Sequence, residues 1–499
     1  MAACSKTLLQ GGTLLVHEVD ERVVPRQLDL LIDGNTIVQI EENIDVNEES
    51  VKIINCDGKI VSPGFVSTHH HLWQTQLKGQ HGNHTLLEYM PSGNFLGSLY
   101  STEDAFWGEL SGAMEAIDAG TTSVVDHSSL NIGDEYPLTL INALVTSGLR
   151  AVYCQCVPRT VLEGSVIARD DYSPTSALRT WKELAKVAPF ADGRVQLGFA
   201  VDNLYLPTSQ LQELYTELRS KNAKIITSHG VAGKAFSDPP SAVQLLNNAG
   251  LLGPDIVFSH ANFPKDGDAG LLAKHGASVS STPNTELQMG CTPVAFMPEF
   301  QPVVSLGVDC HSWGNGFMPG QMRMLLQHAR TKHAERLESE GKWSRHVGPL
   351  VEQVFNLGTI GGARSMGMAG QIGQIKLGAK ADLVIFDTKS PSMWAAAQED
   401  PVSAIVLHSS ERDVETVIVD GAVRKEGGKL LPVSIAVAPT PAASFTLSRR
   451  QVGWIDVMTE VLESRKRIKA KAQGIDFKLA EEAVIDAFHM DRNTLMEAI

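Results

Sequence analysis

Three consecutive histidines in STHHHL put His69 and His71 on one side of an extended segment and His70 on the other, because alternate side chains of a β-strand share a face. Two imidazoles at one strand end make half a metal site. Three more ionisable groups close other apolar runs: His229 ends KIITSH, His260 ends DIVFSH and Asp309 ends VVSLGVD. A lone histidine after such a run is ordinarily a satisfied structural residue, whereas five groups converging on one rim are not explained by core packing. Histidine nitrogens with one carboxylate suit a divalent ion, Zn2+ first, with Fe2+ and Mn2+ as alternatives. They leave an open position for a water whose pKa the ion lowers toward neutrality. Other side chains offered to a ligand are Trp73, Gln74 and Gln76 on the first loop, His127 after the second run, Asp202 and Asn203 after the fourth, and His311 and Trp313 after the eighth. Each also has a structural reading: Trp73 can pack its loop, and His311 can partner Asp309.

Eight strand-like runs must position these groups: KIVSPGFVSTHHH, TTSVVDHSS, RAVYCQCVP, RVQLGFAVD, KIITSHG, DIVFSH, ASVSSTP and PVVSLGVDCHS. They alternate with longer helix-like stretches between residues 63 and 370, the signature of a parallel α/β architecture. Eight parallel strands over about 300 residues are what a (β/α)8 TIM barrel requires, and its active site forms at the C-terminal ends of those strands. An open doubly wound sheet is the alternative, but no GxGxxG or GxxxxGK(S/T) phosphate loop follows the early runs. Short strands and turn residues fill residues 1–62 and return over 371–433, so both chain ends are expected to build one small β-sandwich domain. From residue 434 to 499 a Pro/Ala linker leads into a helical arm, in which Trp454, Val457, Met458, Val461 and Leu462 keep helical spacing.

Composition narrows the ligand class. A chain of 499 residues, 43% apolar and 20% charged, can bury a large core. A net charge of −15 argues against nucleic acid or an anionic membrane as partner, since both demand clustered Lys and Arg. The expected partner is a small molecule. Six irregularly spaced cysteines suggest neither a disulfide framework nor a CxxC metal site, and Cys154 and Cys156 read as small core residues. No apolar run approaches the roughly 20 residues that span a bilayer. A reducing, cytoplasmic setting is the expectation.

The chain resembles the amidohydrolase superfamily, in its branch of cytosine, guanine, S-adenosylhomocysteine and triazine deaminases and chlorohydrolases. The resemblance covers about residues 8–430. It is carried by PGFVSTHHHLWQTQLKG at 63–79, AGTTSVVD at 119–126, ITSHG at 226–230, SHANF at 259–263, TPNTELQMG at 282–290, LGVDCHS at 306–312 and IGQIKLGAKADLVIFD at 372–387. It implies His69, His71, His229 and Asp309 as ligands of the metal, and His260 as the histidine that polarises the substrate and orients the water. Two-metal members carry a carboxylated lysine at the end of the fourth strand; RVQLGFAVDN has none there, which implies one metal. Asp309 would then also accept the proton of the attacking water.

Two positions depart from the family pattern. Ser67 stands where an aspartate or asparagine commonly precedes the first ligand, and Ala232 stands where the deaminase branch usually carries a glutamate that protonates ring and leaving amine. Glu286, in TPNTELQMG, is the candidate replacement acid, with capping of the following helix as its structural alternative. The expected activity is hydrolysis of a C–N bond in a small heterocycle by a metal-bound hydroxide, by deamination of a ring amidine or hydrolysis of a cyclic amide. Release of chloride or a thiol from a heteroaromatic ring is the alternative, and a catalytically silent scaffold the third reading. The arm is expected to bury its apolar face on its own barrel or across a homodimer.

Overall fold

The computed structural model describes residues 6–156, 174–231, 233–436 and 451–496. Eight parallel strands close a barrel: Phe65–His71, Thr121–Ser128, Arg150–Cys156, Val195–Ala200, Ile226–Val231, Ile256–Asn262, Ser278–Ser281, and an eighth in two pieces, Val304–Leu306 and Asp309–Cys310. The eighth strand closes the ring on the first through the pairs Asp309↔His70 and Cys310↔His71. Gly307 sits at the break in that strand, where a Cβ would lie 2.7 Å from the His69 carbonyl and 2.9 Å from the His69 nitrogen. Only glycine admits so close a backbone approach, which delivers Asp309 beside the first strand.

The run KIVSPGFVSTHHH divides at Gly64. Lys59–Pro63 belongs to a second sheet, and the barrel strand begins at Phe65. That second sheet has nine strands drawn from both chain ends, and Lys59–Pro63 pairs antiparallel with Leu383–Asp387. The long strand Lys6–His17 pairs with Val23–Asp33 on one edge, with a register shift between Leu9 and Gly12, and on the other edge its first half pairs with Val51–Asn55 and its second with Lys59–Pro63. Leu9, Leu14, Leu30, Ile54 and Val61 from the start of the chain share one apolar cluster with Ile375, Leu383, Ile385 and Ile418 from its end. At about 25 cal/mol per Å2 of apolar area, this shared burial binds the two distant segments into one unit.

The helix Thr102–Asp118, capped by a Ser101/Asp104 box, packs on the barrel and carries the C-terminal arm. The arm helix, Trp454–Lys471, buries Val457, Ser464 and Ile468, with Val457 packed against Phe106, Trp107 and Leu110. Val461 packs against the same cluster while Trp454, Met458 and Leu462 stay exposed, so the buried face takes Val457 and Val461 of the stripe that spacing suggests and leaves the other three out. Ser434 and the residues beside it precede a stretch, 437–450, outside the described residues.

Candidate metal centre

His69 and His71 leave the first strand with their Nε2 atoms 3.3 and 3.2 Å from Asp309 Oδ1. His229 and His260 complete the cluster, with ring centroids 5.0 and 5.1 Å from that of His69. Two groups of potential ligands interlock at His69: His69, His71 and Asp309, and His69, His229 and His260. Within each, the ligand atoms lie within 4.8 Å of one another. Three of the four histidines and Asp309 are buried, and His229 is partly exposed.

Each imidazole is held from behind at Nδ1. Ser259 Oγ lies 2.7 Å from His69 Nδ1, the His127 carbonyl 2.6 Å from His71 Nδ1, Asp202 Oδ1 3.0 Å from His229 Nδ1 and Thr282 Oγ1 2.9 Å from His260 Nδ1. Partners on one ring nitrogen fix the ring and leave the other for a metal. His69 Nε2 illustrates the fit: it is buried and has no aligned hydrogen bond, despite its closeness to Asp309. Burial drives His69 well below its ordinary pKa, and His229 down to about 3, favouring the neutral form a metal needs. Burial opposes ionisation of Asp309, but the His69 and His71 imidazoles beside it outweigh burial and hold the carboxylate well below the usual range. Asp309 and His260 have φ of 69° and 71°, a left-handed backbone uncommon outside glycine and often found at functional sites.

The amidohydrolase family model matches residues 60–424. The chain belongs to the amidohydrolase family. It is 27% identical over 408 residues to a 5-methylthioadenosine/S-adenosylhomocysteine deaminase of Acetivibrio thermocellus, covering 78% of this chain and 87% of that one. It is 28% identical over 426 residues to a 5'-deoxyadenosine deaminase of Methanothermobacter thermautotrophicus, covering 81% and 91%. Among solved structures, an adenosine deaminase from Xanthomonas campestris with bound zinc superposes with TM-score 0.75 at 16% identity, over 93% of this chain and 98% of that one. An atrazine chlorohydrolase from Arthrobacter aurescens complexed with zinc gives TM-score 0.70 at 18% identity, over 93% and 100%. Membership makes this amidohydrolase a metal-dependent hydrolase of C–N bonds. Among the described residues no helix is long and apolar enough to cross a membrane.

The remaining candidate residues divide into two sets. His127 is fully buried between the ligands, its ring 5.4 Å from His71 and 4.2 Å from His229. Gln74 accepts a hydrogen bond from the Tyr89 hydroxyl at 2.9 Å, and the Tyr89 ring lies 4.4 Å from that of Trp313. Asn203 is exposed, its side chain capping the Tyr205 N–H at 3.2 Å. Trp73 does not reach this cluster; it packs in the hydrophobic core with Tyr100, centroids 5.2 Å apart. His311 also turns away, toward Glu115 at 3.1 Å and the His70 ring nitrogen at 3.2 Å. It partners Glu115 and His70 instead of Asp309, because the helix Thr102–Asp118 supplies a partly buried carboxylate there.

Glu286 is buried on the short helix Pro283–Gln288. Its Oε2 accepts from Ser281 Oγ at 2.7 Å, and its Oε1 lies 3.7 Å from His260 Nδ1. That helix has no side-chain cap, so Glu286 stands behind His260 and does not close the helix end. Ala232 lies outside the described residues. Residue patterns did not single out Ser259 and Thr282, the partners of His69 and His260. Their one signal is adjacency: each is a hydroxyl residue at the end of a strand that carries or neighbours a candidate histidine.

Proposed function

We propose that this chain is a mononuclear zinc hydrolase that deaminates a ring amidine, or opens a cyclic amide, in a small heterocycle, with purine nucleosides the foremost class. The observation that supports this reading is the set of four histidines tied at Nδ1 around Asp309. The names of relatives sharing 27 and 28% identity point to adenosine-type substrates. His69, His71, His229 and Asp309 would hold the ion, which when bound acidifies a water and polarises the substrate.

In this reading Asp309 accepts the proton of the attacking water, and His260, steadied at Nδ1 by Thr282, orients that water and steadies the substrate atom that gains charge. Glu286, with Oε1 3.7 Å from His260 Nδ1, acts through His260 by holding its ring from behind. Gln74, His127 and Asn203 are the side chains assigned to the substrate. The test is metal analysis followed by an ammonia-release screen over purines, pyrimidines, pterins, triazines, hydantoins and lactams. The reading requires about one divalent ion per chain and ammonia from at least one class; two ions per chain, or turnover untouched by chelation, contradicts it.

Ala232, in place of the usual glutamate, favours a second reading in which the leaving group needs no strong acid, such as chloride or a thiol. Chloride or thiol release without ammonia selects it. A cytoplasmic homodimer completes the proposal: the arm leaves Trp454, Ile455, Met458 and Leu462 exposed, an apolar stripe that a second copy would cover. Light scattering on the purified protein decides the oligomeric state.

A further inference from the structure

Asp202 follows the fourth barrel strand, Val195–Ala200, and joins two histidines of the site. Its Oδ1 accepts the backbone N–H of His229 at 3.0 Å and lies 3.0 Å from His229 Nδ1. Its Oδ2 lies 3.3 Å from His127 Nε2 and 3.5 Å from Cys156 Sγ. The side chain is 12% exposed, and among the described residues its ion-pair partners are these two imidazoles, with no Lys or Arg. The backbone bond prevents the carboxylate from rotating away from the strand end. His127 Nδ1, on the far side of the ring, has no hydrogen-bond partner among the described residues.

We propose that Asp202 is a positioning residue for the metal centre: accepting from His229 Nδ1, it fixes the tautomer that presents Nε2 to the ion, and it anchors His127 beside that ligand. The inference rests on the mononuclear reading above. A carboxylate behind a ligating imidazole fixes ring orientation and raises ligand basicity. The same three side chains place ligand atoms within 4.8 Å of one another, so a second cation on Asp202, His127 and His229 is the competing arrangement. The two differ in chemistry. An ion there would take the His229 nitrogen whose proton Asp202 accepts, whereas a positioning carboxylate keeps that proton in place.

Zinc titration of the chelator-stripped protein against a chromophoric chelator, with elemental analysis, tests this without any substrate. The wild type is expected to bind one equivalent. Asp202→Ala should weaken zinc binding by about 10–100-fold while the metal-free melting temperature stays near wild type. Asp202→Asn retains an acceptor for the His229 N–H groups and should restore affinity to within a few-fold. Equal zinc affinity in Asp202→Ala overturns the inference, as does a wild-type stoichiometry of two with one equivalent lost in the variant. A wild type that takes up no ion overturns the metal reading itself, an outcome distinct from either.

Discussion

Glu286→Gln separates a carboxyl group that works through His260 from one that only fills space. The side chain is 1% exposed, and its Oε1 lies 3.7 Å from His260 Nδ1. At an effective dielectric of about 20, two unit charges about 4 Å apart interact by about 4 kcal/mol. If half to all of that steadies positive charge developing on the His260 ring in the transition state, its loss lowers kcat by about 30-fold to 10³-fold. Glutamine preserves the shape and the contact with Ser281, so stability should fall by about 1 kcal/mol or less. The assay is steady-state turnover of the substrate returned by the ammonia screen, beside metal content and melting temperature. A variant with full metal and near-normal kcat would refute the reasoning. It would leave Asp309 and His260 as the proton carriers and favour substrates whose leaving group departs unaided.

Asp309→Ala should lose both zinc and turnover, because ligand and base go together; near-normal turnover, read by the same assay, removes the assignment. Deleting residues from Ser444 onward should lower solubility or the melting temperature by uncovering Phe106, Trp107 and Leu110, and an unchanged hydrodynamic size and melting temperature would show the arm to be dispensable. The buried pair Glu109 and Asp126 should make stability depend on pH. Burial and the Asp126 charge push Glu109 well above the carboxylate range, and burial raises Asp126 to about 6. Both carboxyls bind protons more tightly when folded, so the stability they contribute at low pH is lost as pH rises through the folded values. The wild-type melting temperature should start to fall above about pH 4 and keep falling as pH rises through about 6, and Glu109→Gln should flatten that fall. An equal slope in the variant would count against the pair.

Much of the barrel is legible because each apolar run is one strand buried on both faces and the intervening stretches are long enough for helices. The places where the pattern misleads have physical causes. KIVSPGFVSTHHH reads as one strand because both halves are equally buried, yet Gly64 lets the chain leave one sheet and enter the other; a Cβ there would lie 2.1 Å from Thr122 Oγ1. In the arm, spacing marks Trp454, Val457, Met458, Val461 and Leu462, and the face of Phe106 and Trp107 takes Val457 and Val461 from that stripe while Trp454, Met458 and Leu462 stay exposed. Helical periodicity fixes a spacing and leaves open which of two adjacent stripes meets the barrel.

The site was harder to read than the fold because its side chains depart from regular strand geometry. A register shift between Ser67 and His70 interrupts the first strand just where the histidines begin, and positive φ at His260 and Asp309 breaks alternation on two further strands. Alternation would send Ser259 and His260 to opposite faces; with His260 at φ 71°, Ser259 reaches His69 while His260 reaches Thr282. Strand ends can therefore locate ionisable groups, but not the hydroxyls and carboxylates behind them. His311 shows the cost of that limit. Its place after the eighth strand suggests the pocket, yet Glu115, on the distant helix Thr102–Asp118, draws the ring out to itself and to His70. A carboxylate that no local pattern links to this histidine decides which way it faces, as Asp202 does for His229. The arrangement makes the identity of each imidazole's partner, more than the imidazole's own position, the quantity that separates a ligand from a structural residue.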